Sequence, residues 1–194
     1  MKITFFLYII FLNKVVFVVT RSKNLKFITS KFIPSRSQEV FLAVMKWIKY
    51  IYSHRGFIIT YYNYYNDFDT LRDVLNSLKM KLNAIGKDKH ILEIYKCIRT
   101  IKERTRATWK IIPFNNIPTR VIIEVVIDIS MWIKMFPITD GISTKHFPST
   151  LVTGIQVNCK NIATSSLYLT PKHMNIMITE YDPRKLEPSP YMKH

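Results

Sequence analysis

The segment from His90 to Trp109 constrains the fold more than any other part of the chain. Its isoleucines recur at spacings of three and four residues, and they are Ile91, Ile94, Ile98 and Ile101. This spacing places them on one side of an α-helix, which we expect to be buried. The remaining surface is rich in cations, which are Lys96, Arg99, Lys102, Arg104 and Arg106. A helix of this kind is either a solvated surface helix or a contact for nucleic acid.

The overall charge favours a polyanionic partner. The chain of 194 residues carries 29 basic and 13 acidic residues, which gives a net charge of +16. An excess of this size favours nucleic acid or an anionic membrane surface. An apolar fraction of 48% excludes a disordered protein and is sufficient for one domain with its own core. The two cysteines form no CxxC or Cys/His pattern, so neither a disulfide framework nor a zinc site is expected.

The first nineteen residues allow two interpretations. An apolar run over residues 3–12 is followed, after Asn13 and Lys14, by a second run over residues 15–19. Both runs are rich in β-branched and aromatic residues, and the Asn-Lys pair is a candidate turn, so a buried hairpin is predicted. The alternative is a membrane or export segment over residues 1–19. Against it, the first run is shorter than the about 20 residues that cross a bilayer.

The rest of the chain alternates between strand and helix patterns. Further strands are predicted over residues 25–32, 57–62 and 82–85, where apolar residues alternate with polar ones or β-branched residues are concentrated. Helices are predicted over residues 39–54, 67–80, 90–109 and 118–136. Ser35 or Ser37 is the expected N-cap of the first helix. In that helix one apolar side consists of Val40, Val44, Trp47 and Ile51.

The resulting order of elements is β-β-β-α-β-α-β-α-α. Three successive strands followed by α/β alternation predict an α/β fold with a mixed sheet flanked by helices. The ribonuclease H-like fold has this order. The last helix is an addition to it, and we expect this long apolar helix to be largely buried.

Several runs of the sequence resemble the integrase core of copia-type retrotransposon polyproteins. They are IRTIKERTRATW (98–109), IPFNNIPTRVIIEVV (112–126), FPITDGIS (136–143) and FPSTLVTGIQVN (147–158), with RSKNLKFIT (21–29), HRGFIIT (54–60) and DFDTLR (67–72) upstream. The resemblance covers about residues 11–158. It implies an integrase-core-like domain over residues 1–137 and a family-like extension over residues 138–162. Residues 163–194 match nothing in this family and are expected to form an irregular tail.

The resemblance also implies an activity, which is DNA strand transfer by two Mg²⁺ ions held on two Asp and one Glu. In this chain the positions of these acids fall at Tyr8, Tyr65 and Tyr95, and no acid precedes residue 39. A neutral phenol is a weak ligand for a hard cation, so we expect no metal site, no cofactor and no catalysis. Asp67 and Glu93 each lie two residues from these positions. Glu93 is a weak substitute, because two residues rotate a helical side chain by about 200°. Asp67 lies in a turn, where the looser geometry still allows it to reach the site, but two acids without a partner on the first strand are a poor two-metal site.

Three hypotheses of function follow. The first is an integrase-derived domain, nuclear or cytoplasmic, that keeps the fold and binds DNA mainly through phosphates. Its candidate contacts are Lys96, Arg99, Lys102, Arg104, Arg106 and Lys110. The second is a basic protein attached to a membrane by residues 1–19. The third is a transposon relic without a selected function. The oligomeric state stays open in all three.

Overall fold

The computed structural model describes residues 1–64, 72–77, 81–84, 92–112, 116–136, 141–143 and 145–155. The strands within these ranges are β1 (Lys2–Leu12), β2 (Val15–Ser22), β3 (Ile28–Phe32), β4 (Ile58–Tyr64) and β5 (Lys81–Ala84). The helices are α1 (Gln38–Ser53), α2 (Arg72–Ser77), α3 (Leu92–Ile111), α4 (Thr119–Ile133) and α5 (Pro148–Thr153). The predicted order of the first nine elements is confirmed. The tail over residues 163–194 lies outside the described ranges.

The strands form one mixed sheet in the order β3-β2-β1-β4-β5. β1, β2 and β3 pair antiparallel, whereas β1, β4 and β5 pair parallel. The turn between β1 and β2 carries Asn13 and Lys14 with φ angles of 48° and 67°. These positive angles are typical of the two-residue turn that matches the twist of a hairpin. The hairpin predicted for the start of the chain is therefore confirmed.

α1 packs on one side of this sheet over a cluster of aromatic rings. The ring of Phe5 on β1 lies 4.6 Å from that of Tyr52 on α1 and 5.6 Å from that of Tyr62 on β4, centroid to centroid. The helix begins after Ser37, whose hydroxyl accepts a hydrogen bond from the amide of Val40. This is one of the two N-caps that the sequence predicted. The contact between Phe5 and Tyr52 thus joins the last turn of α1 to β1.

The buried side of α1 only partly coincides with the side that the sequence indicated, since Val44 is buried and Val40 and Ile51 are partly buried against the core. The predicted apolar side consisted of Val40, Val44, Trp47 and Ile51. The residues that are buried are Phe41, Val44, Met45, Ile48 and Tyr52. α1 is apolar over much of its circumference, so periodicity allows more than one buried side. Turning Phe41 and Tyr52 inward removes large ring areas from water and leaves Trp47 36% exposed.

α3 and α4 pack on the other side of the sheet, against β1, β2 and β3. Ile94, Ile98 and Ile101 of α3 are buried, as the isoleucine spacing predicted. α4 ends at Ile133 rather than at residue 136, because the chain leaves it through a tighter turn in which the amide of Met135 bonds the carbonyl of Trp132. Among the described helices, none combines the length and the apolar character needed to cross a bilayer.

α5 lies in the segment that the sequence assigned to an extension, and it was not predicted. Its Val152 is fully buried in the same hydrophobic cluster as β1 and α1. The helix ends at Gly154, which takes a left-handed conformation with φ of 77°. This part of the extension therefore contributes to the main core.

Candidate nucleic-acid interface

Tyr8 and Tyr95, which the sequence assigned to a single site, lie side by side in the structure. Tyr8 projects from the middle of β1 towards α3, and Tyr95 lies in the first turn of α3. Their ring centroids are 5.6 Å apart and their planes meet at 68°. Both side chains are half-buried. Tyr65, Asp67 and the side chain of Glu93 lie outside the part of the chain that is described.

A cation, Arg21 on β2, lies on the same side of the sheet. It pairs with Phe6, the residue that precedes Tyr8 on this side of β1. Burial raises the pKa of the Cys97 thiol on α3 to about 11, and the positive charge of Arg21 partly offsets this rise. Arg21 therefore lies close enough to α3 to interact with it electrostatically. The sequence prediction did not include Arg21. The signal was present, because a two-residue turn at Asn13 and Lys14 sets the register that pairs Arg21 with Phe6.

The described residues at this junction do not fit a magnesium site. Mg²⁺ prefers carboxylate and water oxygens, whereas Tyr8 and Tyr95 offer phenol oxygens, which are weak ligands for a hard cation. The nearby guanidinium of Arg21 also repels a divalent cation. Within the described ranges no three His, Cys, Asp or Glu side chains come together in a way that could hold a metal.

The candidate cations of α3 are arranged around one sector of the helix. At 3.6 residues per turn, a sector of roughly 120° contains Lys96, Arg99, Lys102, Arg106 and Lys110, and it borders the isoleucine side at Lys102. Lys102 is half-buried, and the other members of this sector are exposed. Arg104 is exposed as well, but it projects outside the sector. The structure therefore brings together five of the six candidates and separates Arg104 from them.

An acid lies within this basic sector and pairs with one of its members. The Nε of Arg99 lies 2.7 Å from Oε1 of Glu103, one turn further along α3. The hydrogen bond and the charge of Glu103 raise the pKa of Arg99, which stays cationic. Both side chains are largely exposed, at 80% and 56%. Exposed pairs of this kind are weak, so a phosphate can compete for the guanidinium.

The topology defines the class of fold to which this chain belongs. A mixed sheet in the order β3-β2-β1-β4-β5, with helices on both sides, is consistent with a ribonuclease H-like integrase core. Among solved structures, the catalytic core domain of BIV integrase is similar to this chain, with a TM-score of 0.53 and 12% sequence identity. The match covers 84% of this chain and 97% of that one. No family model and no curated protein matches the sequence. The likeness therefore shows an integrase-like fold.

Proposed function

We propose that this chain is a DNA-binding domain derived from the integrase core of a copia-type retrotransposon, and that it does not catalyse strand transfer. The observation that carries the proposal is the continuity between two features of α3. Tyr95, at the position of the family's Glu, begins a stripe that continues through Arg99, Lys102 and Arg106 at spacings of four, three and four residues. The basic stripe thus starts beside the contact between Tyr8 and Tyr95 and runs away from it.

The loss of catalysis follows from the chemistry of the side chains. Two-metal strand transfer needs carboxylates that hold the ions against the DNA phosphate. At Tyr8 and Tyr95 the chain offers two phenols in van der Waals contact, with the cation Arg21 on the same side of the sheet. Such a site lowers neither the charge repulsion between metal ions nor the barrier to phosphoryl transfer. Detection of Mg²⁺- or Mn²⁺-dependent strand transfer by the purified chain would refute this part of the proposal.

DNA binding is argued from the length and charge of the basic stripe. From Tyr95 to Arg106 the stripe extends for about 16 Å, given a rise of 1.5 Å per residue. This length spans several phosphates of a duplex, whose strands each carry a phosphate about every 3.4 Å. The contacts would be to phosphates, which position a protein on DNA without reading its sequence. The same partner makes a nuclear or cytoplasmic location the expected one.

The test is the salt dependence of duplex binding by the full chain. Each neutralised phosphate contributes a slope of about −0.9 to the plot of log affinity against log salt concentration. We expect Arg106→Glu to lower the affinity and to flatten this slope by about one contact or more. Fluorescence anisotropy of a labelled 20-base-pair duplex, at several salt concentrations, measures both quantities.

Arg104→Glu is the matched control for this experiment. It removes the same residue type from the same helix with the same change of net charge, and its side chain is also exposed but lies outside the basic sector. We expect its affinity and slope to stay close to those of the unchanged chain. Equal effects of the two variants would mean that only net charge matters. No binding at low salt by the folded chain would remove the DNA partner altogether.

A second experiment tests the assignment of the family's acid positions. The triple variant Tyr8→Asp, Tyr65→Asp and Tyr95→Glu restores a carboxylate set that suits Mg²⁺ or Mn²⁺. We expect calorimetry to detect Mn²⁺ binding by this variant and not by the unchanged chain. The control carries Asn, Asn and Gln at the same positions, which keeps the shapes but removes the charges. Equal Mn²⁺ binding by the triple variant and its control would mean that the three positions do not form one site.

A further inference from the structure

The outer surface of α1 carries aromatic rings that the core does not use. Trp47 and Tyr50 are 36% and 53% exposed, and His54 follows the helix on the same side. Spacings of three and four residues place the three rings in one stripe. The rings of Tyr50 and His54 are 4.9 Å apart, centroid to centroid. The core contacts of α1 come from its other side, so burial among the residues that the structure describes does not explain the stripe.

Cations surround these rings. The Nζ of Lys31 on β3 lies 5.2 Å from the centroid of the Trp47 ring. Lys46 and Lys49 project from α1 next to the stripe, on the side of Tyr50, and are exposed. The sequence of α1 contains a single acid, Glu39, which lies in the first turn. The surface formed by Lys31, Lys46, Trp47, Lys49, Tyr50 and His54, which we call the α1 outer surface, therefore combines positive charge with accessible rings.

We propose that the α1 outer surface binds single-stranded DNA. Trp47 and Tyr50 stack on exposed bases, and the lysines beside them contact the phosphates. This combination of rings and cations is how proteins hold single strands without reading sequence. A duplex is a poorer occupant, because its bases are stacked on one another and offer their faces only at its ends. A second copy of the same surface is also disfavoured, since it would bring lysines against lysines.

This surface is separate from the basic sector of α3. α1 packs on the side of β1 that carries Phe5, whereas α3 packs on the side that carries Tyr8. The two surfaces thus lie on opposite sides of the sheet. The proposal goes beyond duplex binding by α3, and either proposal can fail while the other stands.

The experiment compares a 16-nucleotide oligothymidylate with a duplex of the same length, using the full chain. For the single strand we expect Trp47→Ala and Tyr50→Ala each to weaken binding by roughly tenfold or more, as stacking on one base predicts. For the duplex we expect changes of no more than about twofold. Because both side chains are exposed, circular dichroism should show that both variants fold like the unchanged chain.

Tyr61→Ala is the matched control. Tyr61 is a tyrosine with 45% exposure, close to that of Tyr50, and lies on β4 rather than on α1. It should leave binding of the single strand unchanged. Arg106→Glu, in turn, should weaken binding of the duplex more than that of the single strand, which keeps the two surfaces distinguishable.

Three results would overturn the proposal. The first is no binding of oligothymidylate by the folded chain. The second is an equal loss for single strand and duplex in the Trp47 and Tyr50 variants. The third is that the Trp47 and Tyr50 variants bind the single strand as the unchanged chain does but sediment as monomers where the unchanged chain sediments as a dimer. That result would make the α1 outer surface a contact between two copies. A loss that is selective for the single strand, and absent in Tyr61→Ala, confirms it.

Discussion

Two pairs of tyrosines on opposite sides of one sheet have different roles. Under α1, Tyr52 and Tyr62 are completely buried and pack against Phe5. Burial raises the pKa of both phenols above the usual range, so these side chains stay neutral and act through packing. Under α3, Tyr8 and Tyr95 contact each other but keep part of their surface in water. The first pair belongs to the core, and the second lies at the edge of a solvent-accessible junction.

The difference shows where this fold can accept a change of side-chain charge. A side chain at a half-buried junction can change its charge without changing the core. A side chain in the ring cluster under α1 cannot, because a carboxylate there would lose its hydration without gaining a partner. Folding therefore depends most on the residues between α1 and the sheet. The positions at which the charge of a side chain can change lie between α3 and the sheet. The predictions below test this comparison.

The largest effect is expected for Tyr52→Asp. This change places a carboxyl group among the rings of Phe5 and Phe27 and leaves a cavity. We expect the free energy of unfolding to fall by more than about 5 kcal/mol, which is comparable with the whole stability of a domain of this size. Tyr8→Asp should cost no more than about 2 kcal/mol. Urea unfolding followed by circular dichroism measures both, and equal losses would contradict the comparison.

A smaller effect is expected at the contact between the sheet and α4. The hydroxyls of Ser30 and Ser130 are buried and 2.6 Å apart. The Ser130 hydroxyl also donates to the carbonyl of Val126 at 2.8 Å, which makes Ser30 the donor between the two serines. Ser130→Ala leaves this donor without its partner and should cost about 1–3 kcal/mol.

Ser30→Ala is the informative partner of that variant. It leaves the bond from Ser130 to Val126 in place, so its cost should be the smaller of the two. The double variant removes donor and acceptor together and should recover part of the loss seen for Ser130→Ala. Thermal unfolding of the three variants gives the coupling between the serines. A larger loss for Ser30→Ala would show that the hydrogen bond runs in the opposite direction.

Periodicity in the sequence was sufficient to predict the order of the elements. The isoleucines of α3 and the two apolar runs around Asn13 and Lys14 indicated a helix and a hairpin, and both are present. Each of these patterns is local, because it depends on which side of one element is buried. The side of α1 that faces the core was beyond this reasoning, since its apolar residues cover more than one side.

Features that depend on hydrogen bonds or on distant contacts could not be predicted. β3 begins at Ile28 rather than at residue 25, because the Ser22 hydroxyl accepts a hydrogen bond from the amide of Phe27 at 2.9 Å and Lys26 takes a positive φ of 56°. α5 has six residues, too few to show a helical period. The contact of Tyr8 with Tyr95 joins residues far apart in the chain, and only the family resemblance indicated it.

The hydroxyl of Tyr62 provides a subtler test of the ring cluster. It is buried and has no hydrogen-bond partner among the residues that the structure describes. Tyr62→Phe removes this hydroxyl and keeps the ring, so we expect the free energy of unfolding to rise by about 1 kcal/mol. Tyr50→Phe, at an exposed position, should leave it unchanged within about 0.5 kcal/mol. Destabilisation by Tyr62→Phe would mean that the hydroxyl is paired in solution.

The smallest effect is expected for an acid on the α3 and α4 side of the sheet. Partial burial, with a smaller contribution from the charge of Glu124, raises the pKa of Asp128 to about 6. Folding therefore favours the protonated form of this carboxyl group. Its contribution to stability is complete below about pH 4, where the group is also protonated in the unfolded chain. That contribution is lost as the pH rises through about 6.

Asp128→Asn should remove this pH dependence, because the amide does not titrate. We expect the variant to be more stable than the unchanged chain at pH 7 by about 1 kcal/mol, after allowance for solvent screening of a partly exposed group. At pH 4 the difference should disappear. Glu103→Gln is the control, since this carboxyl group is exposed and paired with Arg99. Urea unfolding at both values of pH measures the difference in free energy of unfolding. A gain in stability at pH 7 that persists at pH 4 would mean that packing, and not charge, causes it. A gain in stability that is confined to pH 7 would show that the charged form of Asp128 destabilises the fold. The α3 and α4 side of the sheet would then tolerate a partly buried carboxylate, which the ring cluster under α1 could not.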